Sequence, residues 1–191
     1  MREVEQQLDA LVERYLARWP QLYEPYDPDW RSPCEIGPPE QQAGGEALVP
    51  WRPLPRTLAD DFAGLERALE LEIHPDIKAY FGRYWSGGLE MTAPEGHVSL
   101  IQLWNPQDVE RLIENLIGHA LAKRQAGVGY SVFFACTEPN SDLFLSVEND
   151  TGAVLLEKPG YKPVRQVSDS LAAFLGELEP AQPVFLPDSE R

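Results

Sequence analysis

Residues able to carry covalent or metal chemistry are few and scattered. Asp150-Thr151-Gly152 spells the aspartic-protease tripeptide. That chemistry needs two carboxylates about 3 Å apart sharing one proton. No second copy occurs, and Glu148 and Asn149 before it suit a turn tip. His74, His97 and His119 form no HExxH or other close ligand pair. His119 reads as a hydrogen-bonded structural group, and His74, before Pro75, as the end of a helix. Cys34 and Cys136 stand too far apart in sequence for a zinc spacing, and two cysteines make no disulfide framework. A nucleophilic Cys136 would need a lowered pKa beside a histidine. Its place in the apolar run from Ser131 to Thr137 reads instead as an inert core thiol. Gly127-Val128-Gly129-Tyr130-Ser131 lacks the third glycine of a dinucleotide loop and the last glycine of a nucleophile elbow. The expectation is no catalytic residue, no metal, no cofactor and no small-molecule substrate. A hydrolase using Cys136 or His119 is the weaker reading.

Charge is the more telling property. The 191 residues carry 31 acids against 16 bases, a formal net charge of −15. Nucleic acid is disfavoured as a partner, because neutralising phosphates requires Lys and Arg. Direct docking on anionic lipid is disfavoured for the same reason. The surplus is shared by both halves of the chain, so any acidic surface must be assembled by folding. The start lacks the basic and apolar regions of a signal peptide, and no apolar run reaches the ~18 residues of a membrane span. Sparse cysteines suit a reducing cytosol.

The elements that must position these groups follow from periodicity. Val4, Leu8, Leu11, Val12, Tyr15 and Trp19 give a helix over residues 3–18, ended by Pro20. Half of the 18 prolines fall within residues 20–55. Tyr23, Tyr26, Trp30 and Trp51 lie there too, so this stretch reads as an ordered, extended loop pinned by aromatics, with a short strand at Ala47–Val49. Thr57 and Asp60 resemble a capping box before a helix with Phe62, Leu65, Leu69 and Ile73 inward. Pro75 opens another helix burying Ile77, Tyr80, Phe81 and Tyr84. Strands follow at 89–92 and 97–103. Asn105, Pro106 and Asp108 then start a long helix that Gly127 stops. Residues 131–137 read as a buried central strand, and 143–147 with 153–157 as a hairpin. Ser168 caps a last helix through Leu178, and the tail over 180–191 is expected to be loose. The fold class is α+β: a single mixed or antiparallel sheet of about five to six strands, with helices on one face and around the rim.

Several segments resemble one known family. They are Leu65-Glu66-Arg67-Ala68-Leu69 with Ile73-His74-Pro75, and Leu100-Ile101-Gln102-Leu103-Trp104 running into Asp108 and Glu114-Asn115-Leu116-Ile117-Gly118-His119. Arg18-Trp19, Ser32-Pro33-Cys34, Phe133-Phe134-Ala135 and the run from Ser170 to Leu175 add to them. In this order they resemble the bacterial SecY-interacting protein Syd family, over roughly residues 5–178. The resemblance implies a single domain over residues 1–191 and a non-enzymatic regulator. It also implies peripheral placement on the cytoplasmic side of the inner membrane, held there by protein. The implied partner is the cytoplasmic loops of the SecY translocation channel, whose assembly the family restrains or monitors. The resemblance also extends to a wider superfamily with toxin-immunity proteins, so neutralising a basic toxin is the alternative. Cytoplasmic loops of membrane proteins are rich in Lys and Arg, which an acidic surface attracts. Glu66, Glu70, Asp108, Glu114 and Glu157 are the expected partner-binding carboxylates.

Overall fold

A computed structural model describes residues 2–57 and 61–187. Asp60 of the expected capping box lies outside the described residues. The chain opens with helix α1 (Arg2–Arg18), then strands β1 (Leu22–Pro25), β2 (Glu40–Gln41), β3 (Ala47–Trp51) and β4 (Leu54–Pro55). Helices α2 (Ala63–Leu69) and α3 (Pro75–Arg83) precede β5 (Tyr84–Trp85), β6 (Leu89–Ala93), β7 (Gly96–Leu100) and the long helix α4 (Pro106–Ala126). The remainder is β8 (Ser131–Cys136), β9 (Phe144–Glu148), β10 (Val154–Glu157), β11 (Arg165–Ser168), α5 (Leu171–Glu177) and β12 (Glu179–Pro180).

Seven strands form an antiparallel sheet in the order β11-β10-β9-β8-β7-β6-β12. That is one or two strands more than expected. The additions are β11 and the short edge β12, neither of which carries a run of apolar alternation. The last helix accordingly starts at Ser170, whose hydroxyl accepts from Ala173 N–H, and not at Ser168, which ends β11. The sheet curls enough for Arg165 on β11 to pair with Glu95 in the β6–β7 turn. The tail is not loose over its described part: Glu179–Pro180 pairs with β6, and Leu186 is buried.

Helices cover both faces of the sheet, not one face and the rim. Neighbouring residues of a strand point to opposite sides, and β8 shows the consequence. Phe133 meets His119 of α4, ring centroids 5.7 Å apart. Phe134 meets Tyr80 of α3 at 5.7 Å and Phe174 of α5 at 5.8 Å. Helix α1 packs on α3 and α5 with Val4, Leu8, Leu11, Val12 and Tyr15 buried, the face its periodicity predicts. The proline-rich segment supplies a second, three-stranded sheet, β1-β3-β2.

Helix α4 is bounded as its sequence predicts. Asn105 Oδ1 accepts from Asp108 N–H at 3.0 Å, Pro106 stands at N1, and Gly127 closes the helix at φ +66°. Such a left-handed turn favours glycine. Its C-terminal half is fastened by a buried polar cluster. Lys123 Nζ donates to Glu157 Oε2, and the Ser131 and Ser146 hydroxyls both donate to Oε1. Burial would push the Glu157 carboxyl up, but the Lys123 and serine bonds outweigh it and hold it below the ordinary value. His119 Nε2 lies 3.2 Å from Ser131 Oγ. That hydroxyl directs its own proton at Glu157, so in this contact its oxygen accepts and the imidazole N–H donates. Burial, with Lys123 adding to it, holds His119 below the ordinary histidine value.

Breaking one half of a buried ion pair leaves an uncompensated charge. Lys123→Met should therefore lower the unfolding free energy by about 3–5 kcal/mol in urea denaturation at pH 7, and Lys123→Met/Glu157→Leu should restore much of it. Unchanged stability in the single variant would remove the pair as the fastener of α4. Because folding depresses the His119 pKa, the unfolded chain binds the extra proton. Stability should fall as pH drops below the ordinary histidine value of 6.5, and His119→Gln should flatten that slope.

Candidate functional site

The proline-rich segment is tied to the start of α4 by hydrogen bonds that the sequence hides. Trp104 Nε1 donates to Trp30 O at 2.9 Å, Asn105 Nδ2 to Arg31 O at 3.1 Å, and Ser32 Oγ to Trp104 O at 2.5 Å. Trp104 also stands edge-on to Trp51 of β3, centroids 5.9 Å apart. These bonds bring β1, Trp30, the start of β6 and the start of α4 around one recess of about 200 Å³. Glu24, Trp30, Gly87, Gln102, Trp104 and Asp108 supply most of its wall. Two carboxylates therefore face aromatic walls.

Asp108 is at the third position of α4, where its Oδ2 accepts from Trp104 N–H at 3.0 Å. Desolvation nonetheless raises its carboxyl above the ordinary value. Glu24, on β1, has no hydrogen-bond donor and no cation among the described residues. Burial first, and the nearby Glu90 charge second, push its carboxyl up to about 7. Glu90 lies behind it, bonded to Ser99 Oγ at 2.8 Å and His97 Nε2 at 2.7 Å. Gly87 makes the Glu24 position possible. A Cβ at Gly87 would stand 2.8 Å from both Glu24 Oε1 and the Trp51 ring.

Of the five expected carboxylates, only Asp108 lines this recess. Glu66 is engaged by Lys78 at 2.5 Å and by Ile73 N–H at 2.8 Å, and the Lys78 bond holds it below the ordinary value. Glu70 is exposed at the left-handed C-cap of α2. Both belong to a shallow hollow on α2. Arg124, sixteen positions along α4 from Asp108, reaches Leu69 O, so that hollow is about 24 Å down the helix from the recess. Glu114 is exposed on α4. Glu157 is a correction: at 1% exposure, occupied by Lys123 and two hydroxyls, it is a core group. Sequence reasoning missed Glu24 and Glu90, and took Trp30 only as an anchor. The one signal for Glu24 is a charged residue inside an aromatic stretch, Leu22-Tyr23-Glu24-Pro25-Tyr26.

The His119–Ser131 contact is committed to the buried Glu157 cluster, and the other groups singled out by sequence stand apart from it. His74 caps α3, its Nδ1 accepting from Asp76 N–H at 3.3 Å. Asp150-Thr151-Gly152 forms the β9–β10 turn. Cys136, expected inside the core, is exposed at the end of β8. The extra residue at the Phe133/Ala135 bulge shifts the facing pattern there. Desolvation still raises its thiol, away from the reactive thiolate.

One glutamate carboxyl should titrate near pH 7 in carbon-detected NMR, and Glu24→Gln should remove that signal. Glu90→Gln should move its midpoint down, because a like charge is lost. Ordinary midpoints for every glutamate would overturn this account of the recess.

The family profile described as Syd protein (SUKH-2) matches residues 5–180. Protein Syd of Pseudoalteromonas atlantica is 40% identical over 181 residues, covering 93% of this chain and 96% of that one. Protein Syd of Hahella chejuensis is 43% identical over 149 residues, covering 78% and 74%. Protein Syd of Idiomarina loihiensis is 36% identical over 180 residues, covering 94% and 96%. With a matched profile across nearly its whole length and relatives of this similarity, the chain belongs to the Syd family.

Proposed function

We propose that this chain is a binding protein, not an enzyme, and that its partner is a basic cytoplasmic segment of the SecY channel. The single observation carrying the reading is the recess itself, where Glu24 and Asp108 stand half-buried against Trp30 and Trp104 with Glu24 uncompensated. A cation placed there gains more than it would at an exposed carboxylate, because the local dielectric is lower. Aromatic faces add cation–π attraction. The acid surplus of −15 steers such a segment towards the protein and repels anionic lipid. No helix among the described residues is long and apolar enough to cross a membrane. Placement on the cytoplasmic face of the inner membrane then comes through the channel, not the bilayer. Holding an exposed loop of that kind suits a regulator or monitor of SecY assembly.

Binding should be measured to SecY-containing proteoliposomes and to protein-free vesicles of the same lipids. Retention on the first alone, falling as salt rises from 50 to 500 mM, is expected from screening. Glu24→Gln/Asp108→Asn should weaken it about tenfold or more, as expected when partners of desolvated charges are removed. Equal binding to bare vesicles, or no loss in the double variant, would sink the reading.

A further inference from the structure

The recess holds a cation of its own at the rim. Arg111, one turn beyond Asp108 on α4, places its guanidinium 5.1 Å from the Trp30 ring centroid. Its Nη1 lies 3.4 Å from Asp108 Oδ1. The two contacts are those an incoming arginine would make: a planar cation on an aromatic face, beside a carboxylate. They are also weak. The Arg111 side chain is 65% exposed, and the hydrogen bond is long. Exposed pairs of this spacing contribute little. Deeper in, the recess keeps unspent polar capacity. Gln102 is only 9% exposed and lines the wall. Its amide nitrogen makes no hydrogen bond of ordinary geometry, although the Tyr80 hydroxyl is beside it.

We infer that Arg111 is a resident stand-in for the partner's arginine: it covers the Trp30–Asp108 subsite in the free protein and is exchanged for an incoming guanidinium on binding. This deepens the proposed function and rests on it. Three consequences follow from the geometry. The preferred residue at this subsite is arginine over lysine, since a compact ammonium cannot lie flat on Trp30. Exchange conserves the charge beside Asp108, so the gain on binding comes from the deeper contact at Glu24, while the Gln102 amide nitrogen, a donor, is left for a carbonyl of the same segment. Arg111 also lowers affinity, because part of the population has its subsite filled.

The test uses the full chain and acetylated, amidated tetra-arginine and tetra-lysine peptides, with affinities measured by calorimetry at 50 mM salt. Arg111→Ala should bind tetra-arginine up to about fivefold tighter, the factor set by a competitor held as weakly as an exposed ion pair. Lys162→Ala is the control. It removes an equal charge from the exposed β10–β11 loop, at the opposite end of the sheet from Gly87, and should change affinity less than about twofold because of screening. Trp30→Ala should erase the preference for tetra-arginine over tetra-lysine. If Arg111→Ala binds no tighter, or gains no more than Lys162→Ala, the stand-in is overturned. Should Glu24→Gln and Asp108→Asn weaken peptide binding in that same experiment, the recess survives as the binding site without it. Peptide binding indifferent to all of these variants removes both.

Discussion

Helix α4 is held by opposite electrostatic solutions at its two ends, and the rest of the molecule is arranged around that difference. At the C-terminal end, Lys123 enters the sheet face and meets Glu157 with two serine hydroxyls. Every charge there is answered, so the helix is fixed and the cluster is chemically quiet. At the N-terminal end, Asn105 caps the helix by accepting from Asp108 N–H. One Asp108 oxygen accepts from Trp104 N–H, and the other has only a long bond to an exposed arginine. A rigid rod anchored at one end presents incompletely neutralised charge at the other.

That arrangement separates useful carboxylates from the many that merely keep the chain soluble. A solvated carboxylate is screened by water and salt, and its count says little about binding. A carboxylate paired inside the protein is spent. Glu157 and Glu66 are of the second kind, Glu70 and Glu114 of the first. Glu24 is of neither kind: burial makes its charge costly, and no cation among the described residues offsets the cost. Gly87 is the reason the side chain can be there, since any Cβ would displace it.

How much of this the sequence discloses depends on whether the signal is local. Helix α4 is legible in its caps and stop, because Asn105, Pro106, Asp108 and Gly127 each act within a turn or two. Helix α1 is legible in its apolar period, and the hairpin β9–β10 in its alternation. Strand β11 is not legible: Arg165-Gln166-Val167-Ser168 is polar and lies at the sheet edge, where one partner suffices. Cys136 looks buried from its neighbours but sits past a bulge that re-aims it. Burial of Glu157 is unreadable for a different reason. It depends on Lys123, 34 positions away, and on serines from two other strands.

The recess lies at the far limit of such reading. Its walls come from Glu24, Trp30, Gly87, Gln102, Trp104 and Asp108, drawn from four separate stretches of chain. Proline-rich segments usually pass for linkers, and here the prolines remove backbone donors while the tryptophans and Ser32 supply side-chain bonds in their place. Those bonds hold Trp30 and Ser32 against the start of α4, closing one side of the recess in which Glu24 is half-buried. A negative group placed that way raises the free energy of the unliganded protein, a cost relieved by taking up a proton near pH 7 or by an arriving cation. Proteins tolerate such unmet polar groups mainly where a ligand completes them. The same reasoning explains why Arg111 stands outside on Trp30 and not beside Glu24. A cation seated deep in the recess would satisfy the fold and leave nothing for a partner to complete.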